Sequence, residues 1–245
     1  RESRRFLDRL ATDNRDDVAL RFDLARAWRR IGDVLGGSRD AHLGRSAEAI
    51  KAYERARTFL DSVLAAPKSP ETGSEPDPAR LEDLILRVHC ARALQRELRR
   101  EKASEVLRPA LKPLSHLWRD HPGKKVIGLE FVRAAQLAAE LGMRRRLSAR
   151  QATQLDQICV KAMQGLRAAH RDDLTIAIDL QRARFMVGFQ RLQRSKQATL
   201  PKEAVLEMIK AQRTLDKYAK AHPESFEAQL TATEVVSRLA LFFLQ

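Results

Sequence analysis

Glycine is scarce in this chain, with ten in 245 residues. Stretches that alternate apolar and polar residues with period two are also few, which argues against a sheet-based fold. No apolar run is long enough to span a bilayer, so no membrane insertion is expected within the chain. Arg1-Glu2-Ser3-Arg4-Arg5 has no apolar stretch behind it and does not read as a signal peptide. It also lacks an initiator Met, so the expectation is a piece of a longer protein, truncated at both ends. Only two cysteines occur, Cys90 and Cys159, far apart in sequence. The plain reading is a reducing compartment and a cytoplasmic location. A Cys90–Cys159 disulfide and an extracytoplasmic location form the alternative, if a membrane span precedes Arg1 in the parent protein.

Catalytic signatures are missing too. The six histidines (His42, His89, His116, His121, His170, His222) do not fall at metal-ligand spacing, and His-Glu-x-x-His does not occur. His170-Arg171-Asp172 spells the start of a kinase catalytic loop, but the Asn that should follow to hold Mg²⁺ is replaced by the run Asp173-Leu174-Thr175-Ile176-Ala177. A turn and helix N-cap explain that triplet better. With no Gly-rich phosphate loop and no Asp-Phe-Gly, the segment is expected to be non-enzymatic and free of cofactor and metal.

What is present is helix-forming. Ala, Leu, Arg, Glu and Gln dominate, apolar residues make up 44% and charged residues 32%, which predicts an all-α soluble-type fold. The chain also repeats itself. Arg15-Asp16-Asp17-Val18, Phe22-Asp23-Leu24, Arg26-Ala27 and Ile31-Gly32 return as Arg171-Asp172-Asp173-Leu174, Ile178-Asp179-Leu180, Arg182-Ala183 and Val187-Gly188, all at one constant offset. Self-similarity of this kind marks stacked helical repeats. Apolar spacing and breakers place helices to about 11 and near 16–36, 46–66, 79–98, 101–120, 124–142, 148–170, 173–195, 201–221 and 224–245. Asn14 or Asp16 is positioned to cap the second of these, and Gly36-Gly37-Ser38 to end it. Pro67 to Pro78 is expected to be a mobile loop, and Pro109 and Pro113 to kink or split their helix.

One pair has a specific spacing. Trp28-x-x-Ile31-Gly32-x-x-Leu35 is followed by Gly44-x4-Ala49-x3-Tyr53-x2-Ala56. This matches the tetratricopeptide (TPR) pattern, in which small residues let two helices approach and large ones fill the space beside them. Ala103-Leu107-Ala110, Leu155-Cys159-Ala162 and Ala204-Met208-Ala211 echo the second helix. The expected architecture is a TPR-like superhelix of antiparallel pairs over 1–245. Asp23 to Ala56 further resembles the repeat region found C-terminal to the catalytic domain of many bacterial serine/threonine protein kinases. Trp28 stands where that family usually has Tyr. The resemblance implies a sensor or docking arm beside a kinase domain.

In TPR stacks the first helix of each pair lines the concave face. Counting from Trp28, Arg26, Arg29 and Asp33 are expected to face that groove. Arg182 corresponds to Arg26 by the repeat, and Arg92 and Arg96 come from the next pair. The net charge of +14 and the bidentate fork of Arg suggest a protein partner, an acidic peptide or acidic C-terminus. The competing expectation is a sequence-independent nucleic-acid binder, although aromatics for base stacking are only 5%. Further basic clusters are Arg96 to Lys102, Arg144 to Arg146, and the run Arg182, Arg184, Arg191, Arg194 and Lys196. The apolar end, Leu239 to Leu244 with Phe242 and Phe243, is expected to be covered by a following helix or by self-association.

Overall fold

A computed structural model describes Leu10 and residues 17–36, 43–66, 76–143, 149–194 and 202–243. Among the described residues the fold is all-α, without strands: α1 (Val18–Gly36), α2 (Ser46–Ala65), α3 (Pro78–Arg96), α4 (Arg100–Asp120), α5 (Lys125–Glu140), α6 (Ala149–Ala169), α7 (Leu174–Arg194), α8 (Lys202–Ala221) and α9 (Phe226–Phe243). No helix among them is long and apolar enough to cross a membrane. The helix expected up to residue 11, apart from Leu10, and most of the proline-rich loop lie outside the described residues.

Several helix ends differ from the sequence reading, for clear reasons. The cap of α1 is Asp17, whose Oδ1 accepts the Leu20 N–H at 2.9 Å; Asn14 and Asp16 lie outside the described residues. Pro78 does not belong to a loop but opens α3. Asp77 caps that helix by accepting the Ala79 N–H at 2.9 Å, and proline at the first helical position gives up only an N–H that has no intrahelical partner. Pro109 and Pro113 do not split their helix, for α4 runs unbroken through both. Their missing N–H groups orphan the carbonyls of Glu105 and Pro109. Glu105, Pro109 and Pro113 are all exposed, so water can satisfy that stripe. The opposite stripe, Ala103, Leu107, Ala110 and Leu114, is fully buried. Burying each leucine is worth about 1.5–3 kcal/mol, comparable to the proline penalty.

The chain forms two compact units, Arg1–Leu117 and Trp118–Gln245. In the first, α1 packs on α2 and on α3, and α2 on α3. In the second, α5 packs on α6 and α7, α6 on α7, α7 on α8 and α9, and α8 on α9. Within these sets, helices meet their sequence neighbours and often their next neighbours. The internal repeat is visible in atomic detail. Asp173 Oδ1 accepts the Ile176 N–H at 3.1 Å, as Asp17 does for Leu20. A Cβ on Gly32 would meet the Tyr53 ring at 2.4 Å, and one on Gly188 would meet Met208 Cγ at 2.6 Å and the Ala204 carbonyl at 2.9 Å. Both glycines thus let the first helix of a pair press onto the same position of the second. The small-and-large echoes are core: Ala49, Tyr53, Ala56, Cys159, Ala162, Ala204, Met208 and Ala211 are all buried.

Candidate functional site

The α1–α2–α3 junction is held by a polar cluster centred on Asp33. Its Oδ1 accepts the Tyr53 hydroxyl at 2.8 Å and lies 2.7 Å from His89 Nδ1. Because a carboxylate only accepts, Nδ1 carries the proton. Its Oδ2 accepts Arg29 Nη1 at 2.8 Å, while Arg29 Nε donates to Glu82 at 2.5 Å. Burial pushes the Asp33 carboxyl up, but the hydrogen bond and charge of His89, with Arg29 and the Tyr53 hydroxyl, outweigh it and hold the group below the usual aspartate range. Burial and then the Asp33 charge push the Tyr53 hydroxyl up, so it stays a donor. The arrangement ties three helices together through one saturated carboxylate, as a clamp does, and leaves little capacity for acid–base work.

The residues expected to line a groove are therefore spread over different environments. Arg29 and Asp33 direct their hydrogen bonds inward, into this clamp. Arg96 Nη1 donates across to the Gly36 carbonyl at 2.9 Å, and Arg92 donates to Gln95 at 3.0 Å. Arg182 pairs with Glu234 at 3.0 Å, joining α7 to α9. Arg26 is exposed, its guanidinium 5.8 Å from the Phe22 ring centroid. Both cysteines are free thiols. Cys159 is core, and burial pushes the Cys90 thiol up to about 11, which keeps it protonated and unreactive near neutral pH. The side chains of Phe242 and Phe243 lie outside the described residues.

No family model, curated protein or solved structure matches the chain.

A second feature lies within the second unit. An open cleft of about 350 Å³ runs between α6, α7 and α8, a volume within the usual range for ligand sites. Val160, Val187 and Gly188 supply apolar surface, and Lys161, Arg184 and Arg191 supply charge. Glu207 is the one carboxylate lining it, and Gln157 and Gln164 add amides. Arg184, Val187, Gly188 and Arg191 sit three, four and seven residues apart, on one face of α7. The glycine approach to α8 keeps the floor low. Unlike Arg29, Arg182 and Arg238, which are ion-paired, Lys161, Arg184 and Arg191 form no ion pair with a described residue. Arg184 and Arg191 belong to a basic run visible in the sequence. Lys161 comes from another helix, and nothing in the sequence joins it to them.

Proposed function

We propose that the chain is a protein-interaction scaffold of TPR-like helix pairs, and that its partner is an acidic peptide or an acidic stretch of a protein. The repeated glycine approach, Gly32 on Tyr53 and Gly188 on Met208, carries the reading. Pairs built this way stack into long surfaces that take extended partners. The net charge of +14 favours an acidic one. The resemblance of Asp23 to Ala56 to the kinase-associated repeat region supports a place as the regulatory or docking region of a bacterial serine/threonine protein kinase. Arg26, exposed on α1, is the member of the expected groove set that the clamp leaves open to a partner.

The test compares a labelled glutamate–leucine octapeptide with a labelled oligothymidylate by fluorescence anisotropy at rising salt. The reading expects saturable peptide binding that persists at about 200 mM salt, because apolar contacts share the affinity with charge. Nucleic-acid binding alone, falling steeply and linearly on log–log axes, would replace it with a charge-driven nucleic-acid module.

A further inference from the structure

We infer that the α6–α7–α8 cleft is the docking site, and that it takes a short acidic segment carrying an apolar side chain between its carboxylates. The inference rests on the scaffold reading and names the place where it operates. Charge complementarity is the first argument. Three cations against one carboxylate leave the cleft with an excess of two positive charges, and none of the three is ion-paired within the described protein. Two are arginines, whose planar forks bind carboxylates through paired hydrogen bonds. Arg184 and Arg191 are half-buried, so less side-chain freedom is lost when they engage a ligand. The floor is the second argument. Val160 and Val187 give an apolar patch between the charges, which a nucleic-acid backbone has no group to fill. Alternating acidic and apolar side chains match both.

The experiment uses the full chain and two labelled octapeptides, one of glutamate and leucine and one of glutamate only. The wild type is expected to prefer the mixed peptide. The variant Lys161→Gln/Arg184→Gln/Arg191→Gln, which removes charge and keeps polar side chains, is expected to weaken mixed-peptide binding by about tenfold or more. A control removes the same charge from exposed positions outside the cleft, Arg171→Gln/Lys210→Gln/Lys217→Gln, and is expected to change binding by less than about twofold. Circular dichroism on each variant establishes folding; if the cleft triple variant is unfolded, Arg184→Lys and Val187→Asp are tested singly and are each expected to weaken binding. Equal losses in cleft and control variants, equal affinity for the two peptides, or unchanged binding in folded cleft variants would each overturn the cleft while leaving the scaffold reading standing. A wild type that binds oligothymidylate and neither peptide would overturn both.

Discussion

Helices α1 and α7 occupy the same place in the repeat, yet their side chains exchange polarity across the helix. On α1 the stripe Trp28, Ile31 and Leu35 is apolar, with Trp28 and Leu35 buried. Its neighbouring stripe holds the ion pair Arg29–Asp33. On α7 the corresponding positions are Arg184, Val187 and Arg191 on the first stripe, and Phe185 and Phe189 on the second. The two phenylalanines stack, with ring centroids 6.1 Å apart and planes within 15°. An i,i+4 ion pair in one unit is thus an i,i+4 aromatic pair in the other. The backbone contact at Gly32 and Gly188 is conserved between the copies while the chemistry on either side is swapped. The first unit has its polar groups inside, as a clamp. At the corresponding positions of the second, α7 turns Arg184 and Arg191 towards the open cleft. A repeat needs only the close approach and the caps to keep its shape, so the flanking stripes are free to diverge.

The largest effects are expected where each unit commits its junction. Phe185 is fully buried in a cluster with Met208, Ala211, Leu215 and Val235, so Phe185→Ala is expected to cost about 3–5 kcal/mol. Asp33→Ala leaves the Tyr53 hydroxyl, His89 Nδ1 and one Arg29 nitrogen without their acceptor, at about 2–4 kcal/mol. Urea titration measures both. The two should separate in acid. The folded Asp33 carboxyl lies below its ordinary value of 3.8, so its contribution is fully present above that value and is lost as pH falls through the folded value. The gap between wild type and Asp33→Asn is therefore expected to shrink as pH falls below 3.8, while the Phe185→Ala penalty has no such titration behind it. A pH-independent gap for Asp33→Asn would mean that the clamp is not electrostatic.

This asymmetry marks what could be read from sequence. The helices, the Gly32 and Gly188 contacts and the buried Ala-x3-large-x2-Ala stripes follow from local spacing, because a residue three or four positions on is always a neighbour. The expectation that the first-helix stripe with Arg29 and Asp33 faces a groove rests on the convention for such stacks. Which face a third helix covers is not a local property. The signal was present on α3, where Glu82 and His89 lie seven apart on one face among buried Ile85, Leu86 and Val88. Two polar residues on a buried face require polar partners across it, and Arg29, Asp33 and Tyr53 are those partners. The cleft was legible only in half, through Arg184 and Arg191, since Lys161 reaches it by tertiary packing.

A smaller effect tests whether the close approach is equally strict in both copies. A methyl at Gly32 meets a rigid ring whose hydroxyl is tied to Asp33, whereas at Gly188 it meets flexible Met208 Cγ as well as the Ala204 carbonyl. Alanine gains about 1 kcal/mol of helix propensity at either site, against an overpacking cost of about 1–3 kcal/mol. Gly32→Ala is expected to be net destabilising and the worse of the two by thermal melting. Gly188→Ala should be nearer neutral, because methionine can move aside. The reverse order would show that the Ala204 carbonyl, a backbone atom, sets the limit.

The smallest effect concerns how a helix ends in each unit. After α3, the Arg99 N–H reaches the Leu94 carbonyl at 2.9 Å and the Leu98 N–H the Gln95 carbonyl at 3.0 Å, the two bonds of a Schellman turn. The residue at its left-handed position is Leu98, with φ 59° and 84% of its surface exposed. After α5 the left-handed residue is Gly142, with φ 75°. A leucine there is strained by about 1 kcal/mol or more, since its Cβ crowds the following carbonyl, and an exposed side chain returns little packing. Leu98→Gly is therefore expected to raise stability by about 1 kcal/mol, and Gly142→Leu to lower it by about as much. Opposite signs would show that both turns obey the same backbone rule, although only the turn after α5 carries the residue the rule prefers. If Leu98→Gly instead lowered stability, the greater freedom of glycine in the unfolded chain would outweigh the relief of strain, and the backbone rule would not govern this turn.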